Sequence, residues 1–105
     1  MTARSNKETD GSVVLTLMVH ALDRTNAAEF REEAAQAIAS STGLLAVNCA
    51  QLEFLDSSGV GALIHARNLL PEARRPVRLT EVGTKVLTIL ELMQVHRIFE
   101  LEPRP

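Results

Sequence analysis

Two hydroxyls and a carboxylate stand together at Asp56-Ser57-Ser58-Gly59, where the apolar spacing of the chain changes period. Before them Leu52, Phe54 and Leu55 suit a strand. After them Val60, Leu63, Ile64 and Leu70 recur at the spacing of one side of a helix. Asp and Ser are favoured at helix starts because their oxygens accept hydrogen bonds from first-turn amides that have no partner within the helix. If Asp56 ends the strand, Ser57 is the cap, with its hydroxyl turned toward the amides of Gly59 and Val60, and Ser58 is the first helical residue. The same amides and the positive end of the helix dipole favour an added anion, so a phosphate on Ser57 or Ser58 would be well housed. Taken alone, the three side chains need be no more than a helix cap.

Other chemistries find less support in the sequence. A nucleophilic serine needs a base within reach and an oxyanion hole; a carboxylate adjacent in sequence is too weak a base, and no Gly-x-Ser-x-Gly elbow surrounds Ser57 or Ser58. His20, His65 and His96 fall on three separate elements and share no ligand spacing with Cys49, so neither a metal nor another cofactor is expected. Cys49 is the only cysteine, which rules out an internal disulfide and reads as a buried thiol at the end of a strand. Arg74, Arg75 and Arg78 form a small basic loop, solvated or facing an acidic partner.

The elements that must position the DSSG segment follow in a simple order. Residues 1–12 offer almost nothing a core would hold and read as a flexible or edge segment. Val13 to Val19 is the first firm strand, apolar on both faces, and ends at His20. Asp23 and Thr25 offer helix-start side chains to an amphipathic helix with Phe30, Ala34, Ala37, Ile38 and Ser41 on its inner side, stopped at Gly43. Leu44 to Cys49 is a second strand, and the strand–helix–strand spacing implies a parallel pair. After the DSSG helix, Pro71 to Pro76 is a loop and Val77 to Val82 a strand. Gly83 and Thr84 open a last helix whose buried stripe is Val86, Ile89, Leu90 and Met93. Ile98-Phe99 is a short terminal strand, and a tail closes the chain over 102–105. The resulting order specifies one α/β domain over 13–101.

Within this frame, Phe54-Leu55-Asp56-Ser57-Ser58-Gly59-Val60-Gly61 resembles the phosphorylation-site signature of the anti-sigma factor antagonists, the STAS-domain family of bacterial partner-switching systems. His20-Ala21-Leu22-Asp23 with Thr25, Ala27 and Ala28 resembles the family's Gly-x-Leu-Asp turn into its first helix, with His20 in place of the usual Gly. Leu44 to Cys49 and Val82 to Phe99 resemble its central strand and its last helix and strand. The resemblance implies an α/β STAS-type domain with a small mixed sheet and helices packed mainly on one face. It also implies a non-enzymatic switch: a protein that binds a serine-kinase anti-sigma factor, frees a sigma factor, and is reset by a PP2C-type phosphatase. The first serine of DSSG, Ser57, would accept the phosphate. Asp23, Asp56, Ser57, Ser58 and Gly59 would meet the partner, with Asp23 brought beside Ser57. A scaffold STAS protein of a stressosome-like assembly, or a regulator of another kinase-controlled output, shares the same signature.

Composition agrees with a protein-binding module. The 105 residues suffice for one domain, and a 3% aromatic content with neither Trp nor Tyr calls for an aliphatic core and leaves no platform for bases. A net charge of -2 from 11 basic and 13 acidic residues argues against a nucleic-acid ligand. Neither a signal-peptide run nor a membrane-length apolar segment is present, so no membrane partner and a cytoplasmic location are the expectation.

Overall fold

The computed structural model describes all 105 residues. In chain order they form β1 (Ala3–Lys7), β2 (Val13–Leu17), β3 (Ala21–Leu22), α1 (Ala27–Ala39), β4 (Leu45–Asn48) and β5 (Phe54–Leu55). There follow α2 (Ser57–Leu69), β6 (Val77–Val82), α3 (Thr84–Leu92) and β7 (Phe99–Pro103). Five strands make one mixed sheet in the order β1-β2-β4-β6-β7, antiparallel between β1 and β2 and parallel elsewhere. In a separate two-stranded sheet, β3 and β5 pair in parallel over two residues, a bridge that the apolar pattern did not announce.

Alternation along the central strands decides where the helices go. Val13, Leu15 and Leu17 of β2, Leu45 and Val47 of β4, and Val77 and Leu79 of β6 are buried, while Val14, Thr16, Ala46, Asn48, Arg78 and Thr80 between them are half-exposed. One face is therefore covered and the other open, as a strand with a two-residue period requires. Helix α1 buries Ala27, Phe30, Ala34, Ala37 and Ile38, and α2 buries Gly59, Val60, Ala62, Leu63 and Ala66. The core is almost wholly aliphatic, with Phe30 and Phe99 its only aromatics. Cys49 lies inside it, and burial pushes its thiol up to about 12, which leaves it protonated and inert at neutral pH.

Several expected boundaries shift. Residues 3–7 are an edge strand, polar except for Ala3, held to α1 because the Glu33 carboxylate accepts from the Ala3 amide at 2.8 Å and Thr2 Oγ1 donates to Glu29 at 2.7 Å. Met93 is exposed rather than part of the α3 stripe, since α3 ends at Leu92 and its buried residues are Val86 and Leu90 alone. The last strand runs on through Pro103, which pairs with Val82, so Glu102 and Pro103 of the expected tail are in the sheet. At an outer strand the missing proline donor costs no ladder bond. The basic loop is not free either. Arg74 donates to the Gly43 carbonyl at 2.6 Å and to Ser41 Oγ at 2.8 Å, Arg75 to the Leu70 carbonyl at 3.0 Å, and Arg78 to Glu102.

Candidate functional site

Asp56, rather than Ser57, caps α2. Its backbone is extended (φ -101, ψ -174), Oδ1 accepts from the Gly59 amide at 2.9 Å, and its carbonyl accepts from Val60 at 3.0 Å. The expectation that Ser57 takes the cap is thereby corrected by one residue. The reason is tertiary. Asp56 Oδ2 also accepts from the Arg24 amide at 3.1 Å, and the Asp56 amide reaches the Leu22 carbonyl at 3.4 Å, so a loop 32 residues upstream fixes where the helix starts. Ser57 becomes the first helical residue and is exposed; Ser58 follows it and is half-buried. The amides of both lie in the first turn, where no intrahelical acceptor exists.

The upstream loop has its own internal ties. Asp23 Oδ1 accepts from the Thr25 hydroxyl at 2.5 Å and from its amide at 2.9 Å, while the Asp23 carbonyl accepts from Ala27 at 2.8 Å and so opens α1. The hydroxyl bond first, then the amide bond, hold the Asp23 carboxyl below the ordinary value of 3.8. Asn26 stands at the start of α1 without a side-chain cap; its Oδ1 instead accepts from the Asp23 amide and its Nδ2 donates to the Ala21 carbonyl, both at 2.9 Å. Since Arg24 bonds to Asp56, the Asp23 loop lies against the start of α2. Asp56 adjoins Ser57 in sequence, whereas the Asp23 carboxylate is turned to Thr25 within its own loop.

Gly59 has no freedom to be anything else. A Cβ on it would stand 1.9 Å from the Leu22 carbonyl oxygen, because α2 is pressed onto β3 at that point. The residue is buried, so what it contributes to the site is the close seating of the helix start on the upstream loop. Gly61 is different: its Cβ would meet only Arg31 Nη2, at 3.5 Å. His20 fits without distortion, since its φ is not in the left-handed region. Its carbonyl accepts from Glu53 at 2.7 Å and from Phe54 at 3.1 Å, and its Nδ1 is 3.1 Å from the Gln51 carbonyl.

Two features of the site were not visible in the chain. Phe54, counted among strand residues, is 50% exposed and lines a shallow cleft with Ile89, Thr84, Thr88 and the Lys85 stem, two residues from Asp56. Arg104, at the other end of the sequence, reaches the loop before β5. The position of Phe54 immediately ahead of DSSG was the one signal for the first. Nothing local marked the second.

The model of the family described as Mlab, STAS domain matches residues 5–102. Among solved structures, the anti-sigma factor antagonist of Mycobacterium paratuberculosis superposes with a TM-score of 0.84 at 20% identity, over 97% of this chain and 85% of that one. The Bacillus cell fate determinant SpoIIAA, in its phosphorylated form, gives 0.68 at 20% identity over 94% and 89%. Part of the murine Solute Carrier 26 family member A9, an anion transporter, gives 0.75 at 16% identity, over 90% of this chain and 16% of that one. Curated proteins yield no match. At these identities the likeness is one of fold, and a fold found in both an antagonist and a transporter hosts more than one function.

Proposed function

The chain belongs to the STAS-domain family, and from that premise we propose that it is a phosphorylation-controlled anti-sigma factor antagonist, one that binds a serine-kinase anti-sigma factor and thereby releases a sigma factor. The observation that carries the reading is the exposed Ser57 at the first position of α2, directly after a carboxylate whose two oxygens are already engaged by backbone amides. Ser57 is the acceptor and Ser58, half-buried at the next position, is not. Exposure now supports that choice in place of the cap geometry. A PP2C-type phosphatase resets the switch, and the domain is a substrate rather than an enzyme.

The switch needs no refolding. A phosphate adds about -1.5 to -2 charge at neutral pH. Beside Asp56 and the ionised Asp23 it makes a strongly anionic rim, and any partner group that packs there in the unmodified state meets repulsion and a desolvated charge. A coupling of about 2 to 3 kcal/mol changes affinity some 30- to 150-fold.

Capture of partners from the native cell with unmodified protein tests the reading, with a serine kinase expected among them. Incubation with that kinase and ATP followed by fragmentation mass spectrometry should place phosphate on Ser57. Phosphate on Ser58, or undiminished incorporation into Ser57→Ala, overturns the acceptor assignment. Light scattering should find small species; a large homogeneous assembly would favour a stressosome-like scaffold instead.

A further inference from the structure

The loop from the end of β4 to β5 delivers the chain to Asp56, and three of its carbonyl oxygens converge on one cation. Arg104 Nη2 donates to the carbonyls of Cys49 at 3.0 Å, Ala50 at 2.5 Å and Leu52 at 3.1 Å. Its Nε donates to the Glu81 carbonyl at 3.0 Å, and its Nη1 lies 3.5 Å from Glu53 Oε1. The guanidinium thus joins the end of β6 to the loop that leads into the site.

Three irregularities elsewhere coincide at this seat. The pairing of β6 with β7 slips between Leu79 and Val82, and Glu81 adopts a left-handed φ of 55, a conformation costly for a residue with a Cβ. The amide of Arg104 still reaches the Val82 carbonyl at 3.0 Å, which anchors its backbone beside the slip. Gly83 completes the seat, since a Cβ there would come within 2.8 Å of Arg104 Nη1. The other ties of the loop are the Cys49 amide to the Thr80 carbonyl, Leu52 to the Cys49 carbonyl, Ala50 to Asn48 Oδ1, His20 Nδ1 beside the Gln51 carbonyl, and the two amides on the His20 carbonyl. The β3–β5 bridge that follows is only two residues long.

We propose that Arg104 is a positioning residue for the Ser57 site. Its fork holds the Cys49–Glu53 loop against the end of β6 and so fixes where Phe54 and Leu55 meet Ala21 and Leu22, and where Asp56 starts α2. The charged donor suits this work, because bonds from guanidinium to carbonyls are stronger than neutral ones and one planar group satisfies acceptors on two segments. Arg104 touches no hydroxyl of the site and acts through the loop. Its consequence for phosphorylation rests on the reading of Ser57 as acceptor; its geometry does not.

Hydrogen exchange on full-length Arg104→Ala and Arg104→Lys separates positioning from general stability and from the acceptor reading. Arg104→Ala should speed exchange by about tenfold or more at the amides of Leu52, Glu53, Phe54 and Asp56, while the centres of α1 and β2 keep their protection. Arg104→Lys, which retains charge without the fork, should fall between. With the captured kinase, initial phosphate incorporation into Arg104→Ala should be several-fold slower than into the wild type. Unchanged exchange over Leu52 to Asp56, or loss of protection spread evenly over the sheet, overturns the proposal. Absence of phosphate on wild-type Ser57 would overturn the acceptor reading alone, and the exchange pattern would still decide the role of Arg104.

Discussion

The two ends of the helical layer are tied down by the same device and differ in what they leave free. Where α1 and α2 finish, Arg74 takes up the Gly43 carbonyl, the Ile38 carbonyl and Ser41 Oγ, and Arg75 takes the Arg67 and Leu70 carbonyls. Those bonds quench groups that a helix end otherwise exposes. Where α2 begins, Asp56 and Arg104 draw loops from both halves of the chain together, yet Ser57 and half of Phe54 remain exposed. One end is closed for stability. The other is held rigid around groups that have no internal partner, which is the arrangement that a binding or modification site needs.

The sharpest way to break the open end is Gly59→Ala. Its Cβ would overlap the Leu22 carbonyl, a backbone atom that cannot rotate aside, and a loss of about 3 kcal/mol or more is expected in denaturant unfolding. Gly61→Ala on the same helix meets only a flexible arginine tip and should be neutral or gain a few tenths to about 1 kcal/mol from helix propensity. Equal losses in both would contradict the seating of α2 on β3.

Ser57→Asp should leave the fold intact, shifting the melting temperature by no more than a few degrees, and weaken the kinase complex by roughly 30-fold or more. Calorimetric titration at wild-type affinity would remove the switch from this end. Next in size come Arg74→Ala and Asp56→Ala, each expected to cost about 1 to 2 kcal/mol in unfolding. The former should not touch partner binding and the latter should weaken it. If Arg74→Ala also reduced binding, the division between closed and open ends would fail.

The smallest effect is on pH. The Asp23 carboxyl is more acidic in the fold than in the unfolded chain, so its contribution is fully present above 3.8 and is lost as pH falls through the lower folded value. Asp23→Asn should flatten that acid limb slightly in thermal melts between pH 5 and 2, and reduce binding at neutral pH by more than it reduces stability. An unchanged limb would mean that the Thr25 hydrogen bonds do not bias the proton.

Much of the architecture was legible because it rests on period. The alternation of β6 and the spacing of Phe30, Ala34, Ala37 and Ile38 are local consequences of strand and helix geometry acting on apolar residues, whereas β2, expected to be apolar on both faces, is covered on one face only. The DSSG segment announced a helix start with an anion-friendly first turn for the same local reason. What neighbours in space decide was not legible: that Asp56 and not Ser57 is the cap depends on the Arg24 amide, that Arg74 and Arg75 are engaged depends on the ends of α1 and α2 and that Arg78 is engaged depends on Glu102 of β7, and that Arg104 reaches the site depends on β7 lying beside β6. Local spacing sets which residues share an element; only the folded chain, by bringing donors and acceptors from distant segments within hydrogen-bond reach, sets which of them stay free to act.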